Sequence, residues 1–468
     1  MKNKASQNKK ELSWIVLLPS LLVIMVSSIS LVDALGKNKF WADDFGNISA
    51  FNQNLGSIND LSVNSGRFIL NLFFFIMGTS FGVGSSTPYL ISASLISGFG
   101  IFLILYESVK LKLVSQKMAI FILACLMGSV TLWPVFLWST NVTHGASLFC
   151  FGLALYNFRT NWEMNFKSFK KTIAENIWLS LIILCNPLYI GVIVIYTIFS
   201  MYMKSYMLGK TAQLSRRTQF LSILIGVVIP LFYFFAVSQP VQSNNVSYTN
   251  TSIKNILPNL NFYFGSFLNI PLLALILISI GVLLVVSVRG YKRHELILIV
   301  SSLSILFPVL IQSQVRVLNY LIFPIIFLGL FFSRIFDRAL ESNSVRRFFV
   351  YFFIMSLPLF AFYEARYTRA WYQVPGLGAE TDQLLEEIHA KVPLHSDLCI
   401  KFDLSSQDAN YLIGGFSGTK AFSLSPNYAG KTFIDSYNTC VNDKALRQIV
   451  IFKSKNGKFD ASLEELIP

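Results

Sequence analysis

The chain has 468 residues, of which 54% are hydrophobic and only 13% charged, with a mean hydropathy of +0.57. A soluble protein carries roughly a quarter charged residues, and one packed core could not hide this apolar excess, so the composition excludes a water-soluble enzyme and points to a bilayer. The net charge of +14 falls in short Lys/Arg clusters between apolar runs, which is the pattern of cytoplasmic loops and excludes a nucleic-acid partner needing one basic face.

The first apolar run, 12–35, follows a basic tail containing Lys2, Lys4, Lys9 and Lys10. It is longer than the apolar region of a cleaved signal peptide and predicts an uncleaved spanning helix with the N-terminus inside. Residues 36–86 form a long outer loop. It carries the acidic pair Asp43-Asp44, and its run 66–78, too short to span, reads as an interfacial helix. Ten further spans are predicted at 87–106, 118–137, 144–158, 174–187, 188–203, 219–239, 266–288, 296–312, 317–333 and 348–363. Around Asn186-Pro187 the stretch 174–203 is either a hairpin of two spans or one long broken helix.

Basic residues test this alternation. Segments placed inside hold 22 Lys and Arg, whereas those placed outside before residue 364 hold five: Lys37, Lys39, Arg67, Lys254 and Arg316. An incorrect helix count would scramble that bias, so the expected topology is N-in, C-out. No internal repeat or low-complexity segment is evident. Sequons at Asn47, Asn141, Asn245 and Asn250 fall on the predicted outer side.

After Pro375, Gly376 and Gly378 the tail becomes polar. Its stretch 379–391 has Leu384, Leu385 and Ile388 on one helical face, while 398–402 and 447–453 read as strands. The expectation is a small extracytoplasmic α/β domain over 364–468, following a membrane domain over 1–363. Cys125, Cys150 and Cys185 lie in apolar runs as small hydrophobes. Cys399 and Cys440 lie in the tail, and the sequence leaves open whether they pair.

Chemistry-bearing groups on the outer side of the membrane region are scarce. The carboxylates are Asp33, Asp43, Asp44 and Asp60. Asp43 and Asp44 are adjacent in Phe40-Trp41-Ala42-Asp43-Asp44-Phe45, and two like charges beside apolar residues disfavour double ionisation, which suits one for a base or a ligand. The alternative is a solvated loop turn. Arg67 opens the interfacial helix and Arg316 sits in a short outer turn; a rim arginine either holds a lipid phosphate or snorkels. His144, near the turn Thr140-Asn141-Val142-Thr143, reads as a helix-end hydrogen bonder or an acid. Two carboxylates alone do not establish a metal site, and no other cofactor is indicated.

Four ordered stretches carry a family resemblance: Trp41-Ala42-Asp43-Asp44-Phe45-Gly46, Asn64-Ser65-Gly66-Arg67-Phe68, Trp133-Pro134 to Thr140-Asn141, and Arg316-Val317-Leu318. With this topology they make the chain resemble polytopic glycosyltransferases of the GT-C type, most closely the glucosyl transferase II family of bacterial O-antigen serotype-conversion enzymes. Departures are Asn47, where a basic residue is usual, and Phe68 directly after Gly-Arg. The resemblance implies a GT-C-like membrane protein of about eleven transmembrane helices in the bacterial inner membrane. It implies transfer of a sugar, glucose, from a polyprenyl-phosphate carrier to a lipid-linked glycan of the lipopolysaccharide type in the periplasm. Asp43 or Asp44 would be the base of an inverting displacement, with Arg67, Arg316 and His144 at the donor phosphate. The rival readings are a lipid-linked sugar flippase and an O-antigen polymerase.

Overall fold

The computed structural model describes residues 14–37, 68–82, 85–129, 131–164, 168–193, 196–197, 200, 216–233, 252–259, 318–340, 344–367, 383–384, 386–387, 390, 398–403, 433–435, 447–453 and 459–465. The predicted spans 266–288 and 296–312 lie outside them. The described membrane region is all helix. A 3-10 turn, Trp14–Leu17, leads into α1 (Leu18–Lys37), followed by α2 (Phe68–Phe81), α3 (Thr87–Lys110) and α4 (Gln116–Gly128). Then come the short α5 (Trp133–Leu137), α6 (Val142–Glu163), α7 (Phe169–Cys185), α8 (Arg216–Ile223), α9 (Ile229–Tyr233), α10 (Ile322–Leu340) and α11 (Ser344–Tyr367).

By length and composition, Trp14–Lys37 and Thr87–Lys110 are each long and apolar enough to cross a membrane; shorter apolar helices include Gln116–Gly128 and Val350–Tyr363. The outward faces are apolar as well as the inward ones. On α3 the exposed stripe is Ile91, Leu95, Phe99, Phe102 and Tyr106, while Leu90, Ala93, Ser97, Ile101 and Ile104 are buried. A helix apolar on both faces has hydrocarbon as its solvent.

Small residues let α3 and α6 touch along their length. A Cβ on Gly100 would lie 2.7 Å from the Phe149 backbone nitrogen, and one on Gly145 only 2.1 Å from the Ser97 hydroxyl. Such close approach is how membrane helices associate when burial from lipid supplies no hydrophobic gain. The contacts pair Ser97 with Gly145, Gly100 with Leu148 and Leu103 with Gly152, so α3 and α6 run parallel. At their C-terminal ends Arg159 closes the pair: its Nε donates to Glu107 at 2.5 Å and its Nη1 to Glu163 at 2.7 Å. Glu107 is only 1% exposed, so the guanidinium is what makes that burial tolerable.

The stretch after α7 is a hairpin. Asn186 leaves α7 extended, and Pro187–Tyr189 makes a 3-10 turn. Ser200 then donates to Glu175 at 2.5 Å. In one straight helix those residues would stand about 37 Å apart, so the chain folds back about Asn186-Pro187. A π-helical turn, Leu224–Val228, joins α8 to α9 and packs on this hairpin. Ser180 donates to the carbonyl of Ile225 at 2.5 Å, and Thr197 donates to that of Gly226 at 3.3 Å.

The predicted span 118–137 is not continuous. Helix α4 ends at Gly128; Ser129 turns extended (φ −83°, ψ 148°), and its hydroxyl donates to the Leu126 carbonyl at 2.9 Å. The chain resumes as α5 with Pro134 in its first turn. Proline cannot donate to a preceding turn but is pre-set for a helix start. Helix α4 packs on α1, α10 and α11, whereas α3 packs chiefly on α6. The two groups meet in one apolar core that includes Tyr189, Phe151, Phe323, Phe336 and Phe353.

In the C-terminal region β1 (Leu398–Asp403), β2 (Phe433–Asp435), β3 (Arg447–Lys453) and β4 (Phe459–Glu465) form a four-stranded sheet ordered β2-β1-β3-β4. The first three strands are parallel and β4 is antiparallel to β3. The expected strands at 398–402 and 447–453 are present; β2 and β4 were not anticipated. Positions 383, 384, 386, 387 and 390 are helical, with Leu384 buried. Cys440 lies outside the described residues.

Candidate functional site

The N-terminal ends of α3 and α6, the Asn186-Pro187 corner and the start of α10 meet on the side away from the Arg159 clamp. Asn141 builds this end. Its amide nitrogen donates to the Pro134 carbonyl at 2.9 Å, and its backbone N–H to that of Trp138 at 2.9 Å. Asn141 is 5% exposed, so the expected outer sequon is folded into the protein. Ser94 of α3 donates to the Phe136 carbonyl at 2.7 Å and ties α5 down. His144 therefore opens α6 from a fixed turn.

His144 is buried, and its Nδ1 is hydrogen-bonded to the hydroxyl of Tyr189. Tyr320, in the 3-10 turn Leu318–Leu321, stands edge-on to the imidazole at 4.9 Å and 73°. The Tyr189 ring in turn packs on Phe323 at 4.7 Å. When the phenol donates, the neutral ring carries its proton on Nε2 and becomes a donor there. The arrangement thus holds the imidazole between the rings of Tyr189 and Tyr320. It supports the reading of His144 as a helix-end hydrogen bonder.

Asn186 adds a second polar group. Its side-chain oxygen accepts from the Leu188 N–H at 3.2 Å, and its carbonyl accepts from that of Tyr189 at 3.1 Å. The amide nitrogen is buried and has no hydrogen-bond partner among the described residues. A buried donor left so costs about 1–3 kcal/mol, which a ligand oxygen would recover. Tyr189, Tyr320 and Asn186 were not singled out as site residues from sequence, although the Asn186-Pro187 break was visible.

Asp43, Asp44, Arg67 and Arg316 lie outside the described residues. The ends that bracket residues 38–67 are described. Ala34 near the end of α1 packs with Trp133, Leu137 and Ala365. Helix α2 (Phe68–Phe81), which overlaps the run 66–78, places Leu70, Phe73, Phe74 and Met77 against Tyr89, Ala93 and Val142. Both brackets therefore rest on the 133–142 segment that leads into His144. Glu175, a buried acid within a predicted span, is held by Ser200 in the helical hairpin and belongs to that packing.

The chain matches no protein-family model and no curated protein. Among solved structures it is similar to ArnT from Cupriavidus metallidurans, both bound to undecaprenyl phosphate and in the apo state. Each comparison has a TM-score of 0.50 and 12% identity, and covers 95% of this chain and 93% of that one. The likeness is one of fold alone, shared over nearly the whole of both chains.

Proposed function

We propose that this chain is a membrane glycosyltransferase that takes a sugar from a polyprenyl-phosphate carrier. The observation that carries the reading is the fold shared over 95% of the chain with a protein captured with undecaprenyl phosphate. The His144–Tyr189–Tyr320 group supports it, because it lies beside the brackets of the loop that contains the acid pair.

In this proposal the enzyme sits in the bacterial inner membrane, N-terminus cytoplasmic and C-terminus periplasmic, and belongs to the glucosyl transferase II type. It moves glucose to lipid-linked O-antigen or a related surface glycan. Asp43 or Asp44 takes the proton of the acceptor hydroxyl as that oxygen attacks the anomeric carbon, and the carrier phosphate leaves with the bonding pair. One displacement inverts the anomeric centre. Arg67, Arg316 and His144 face the leaving phosphate, where negative charge grows in the transition state. Arg316 precedes Tyr320 by four residues, a chain reach of at most about 15 Å, and Arg67 directly precedes α2. His144, with its proton on Nε2, donates to a phosphate oxygen; Asn186 offers a further donor. The domain after residue 363 either binds the acceptor glycan or braces the outer loops.

The experiment is glycan analysis of cells with and without the chain, beside Asp43→Asn and Asp44→Asn strains. A side-branch sugar present only with the intact chain, and reduced at least 100-fold by one of the aspartate variants, is the expected result. A longer polymer instead of a decorated repeat would make the chain a polymerase, and unchanged glycan in all strains would overturn transfer altogether.

A further inference from the structure

Helices α3 and α4 are joined by only five residues, yet they splay apart because each packs with different partners. The cleft between them has a volume of about 520 Å³ and runs from Phe136 and Gly98 past Phe102, Ile120 and Leu123 to Lys110. Its walls are apolar, and Phe102 on its rim is among the exposed residues of α3. From Gly98 to Lys110 the helix rises about 18 Å, close to the roughly 15 Å hydrocarbon depth of one leaflet.

The polar end is basic. Lys110 lines it, with Nζ 5.4 Å from the Tyr106 ring centre, and Lys112 is exposed two residues on. Lys112 sits in the left-handed region (φ 56°) of a helix-ending turn whose Leu113 N–H bonds the Ser108 carbonyl at 2.9 Å. That position favours glycine; here it bears a cation. Lys117, nearby at the start of α4, lies over the Trp14 ring at 5.0 Å. Among the described residues the acids near this end, Glu107 and Glu163, are bound to Arg159 on the far side of α3. Positive charge at the mouth and hydrocarbon along the walls match an anionic headgroup with its acyl chains.

We propose that the α3–α4 cleft is a binding site for one anionic diacyl phospholipid of the inner leaflet, with its acyl chains along Phe102, Ile120 and Leu123 and its phosphate at Lys110. The headgroup end at Lys110 is at the opposite end of α3 from His144, and the site does not depend on the proposed transfer reaction. Full-length protein in mild detergent, titrated with dioleoyl phosphatidylglycerol or dioleoyl phosphatidylcholine and weighed intact by native mass spectrometry, tests it. The unaltered chain should retain one phosphatidylglycerol at least tenfold more strongly than phosphatidylcholine. Lys110→Gln, at the rim of the fold, should abolish that preference with an unchanged melting temperature. Ile120→Trp should fill the cleft and release both lipids. Retained preference in Lys110→Gln, or an unchanged lipid count in Ile120→Trp, would overturn the site. So would a dimer, lost in Ile120→Trp, in place of bound lipid.

Discussion

The contact between His144 and Tyr189 joins two residues that no local pattern relates, since they lie 45 positions apart. The sequence marked His144 as a polar group at an outer helix end, because histidine is rare in apolar runs. It could not supply the partner, because a tyrosine within a hydrophobic stretch has the same pattern as a core aromatic. Tyr189→Phe keeps the ring packing and removes the hydroxyl. The loss of one hydrogen bond is worth about 0.5–1.5 kcal/mol, so transfer should fall two- to tenfold, with a changed pH profile as His144 loses its bond to the Tyr189 hydroxyl. Steady-state kinetics across pH, with a melting curve as control, checks this. Arg159 makes a different kind of prediction. Arg159→Ala strands Glu107 at 1% exposure, and breaking one side of a buried pair costs about 3 kcal/mol or more. A clear drop in melting temperature is expected, largely rescued in the double variant Glu107→Gln/Arg159→Ala.

At the scale of elements, apolar runs identified helices well and their interruptions poorly. Hydropathy is blind to the direction of a backbone, so 118–137 reads as one span although it breaks after Gly128. The deciding signals were Ser129 and Pro134, whose effect depends on whether neighbours satisfy the freed backbone groups; here the Ser129 hydroxyl and Asn141 do so. The choice at 174–203 was open from sequence and is settled by Ser200 meeting Glu175. Helix contacts were also illegible, because glycine in an apolar run signals either flexibility or close approach. Gly145→Ala tests the second meaning: its Cβ would lie 3.0 Å from the Ser97 backbone. Overpacking typically costs 1–3 kcal/mol. Parting α3 from α6 next to His144 should lower both the melting temperature and the transfer rate, whereas Gly98→Ala, whose nearest neighbour is a Phe136 ring atom at 3.8 Å, should leave both near their original values.

For the whole molecule, charge sets the expected orientation, and packing brings His144, Tyr189 and Tyr320 together. Lys110, Lys117, Arg159 and Lys171 lie over the rings of Tyr106, Trp14 and Tyr156 at one end of the described helices, as expected where basic loops meet an aromatic belt. The proposed N-in, C-out topology predicts that an alkaline phosphatase reporter is active when fused after Pro468 and inactive when fused after Met164. An inactive C-terminal fusion beside an active one at Met164 would reverse the orientation.

The membrane class, the approximate helix positions and the basic bias of one side were determined by the sequence itself, because hydrocarbon solubility and charge placement are additive properties read one residue at a time. The hairpin about Asn186-Pro187, the glycine-mediated crossing of α3 on α6, and the meeting of His144, Tyr189 and Tyr320 were decided only by the tertiary structure. Inside a bilayer every helix is similarly apolar, so which faces meet depends on shape and on a few hydrogen bonds between distant residues.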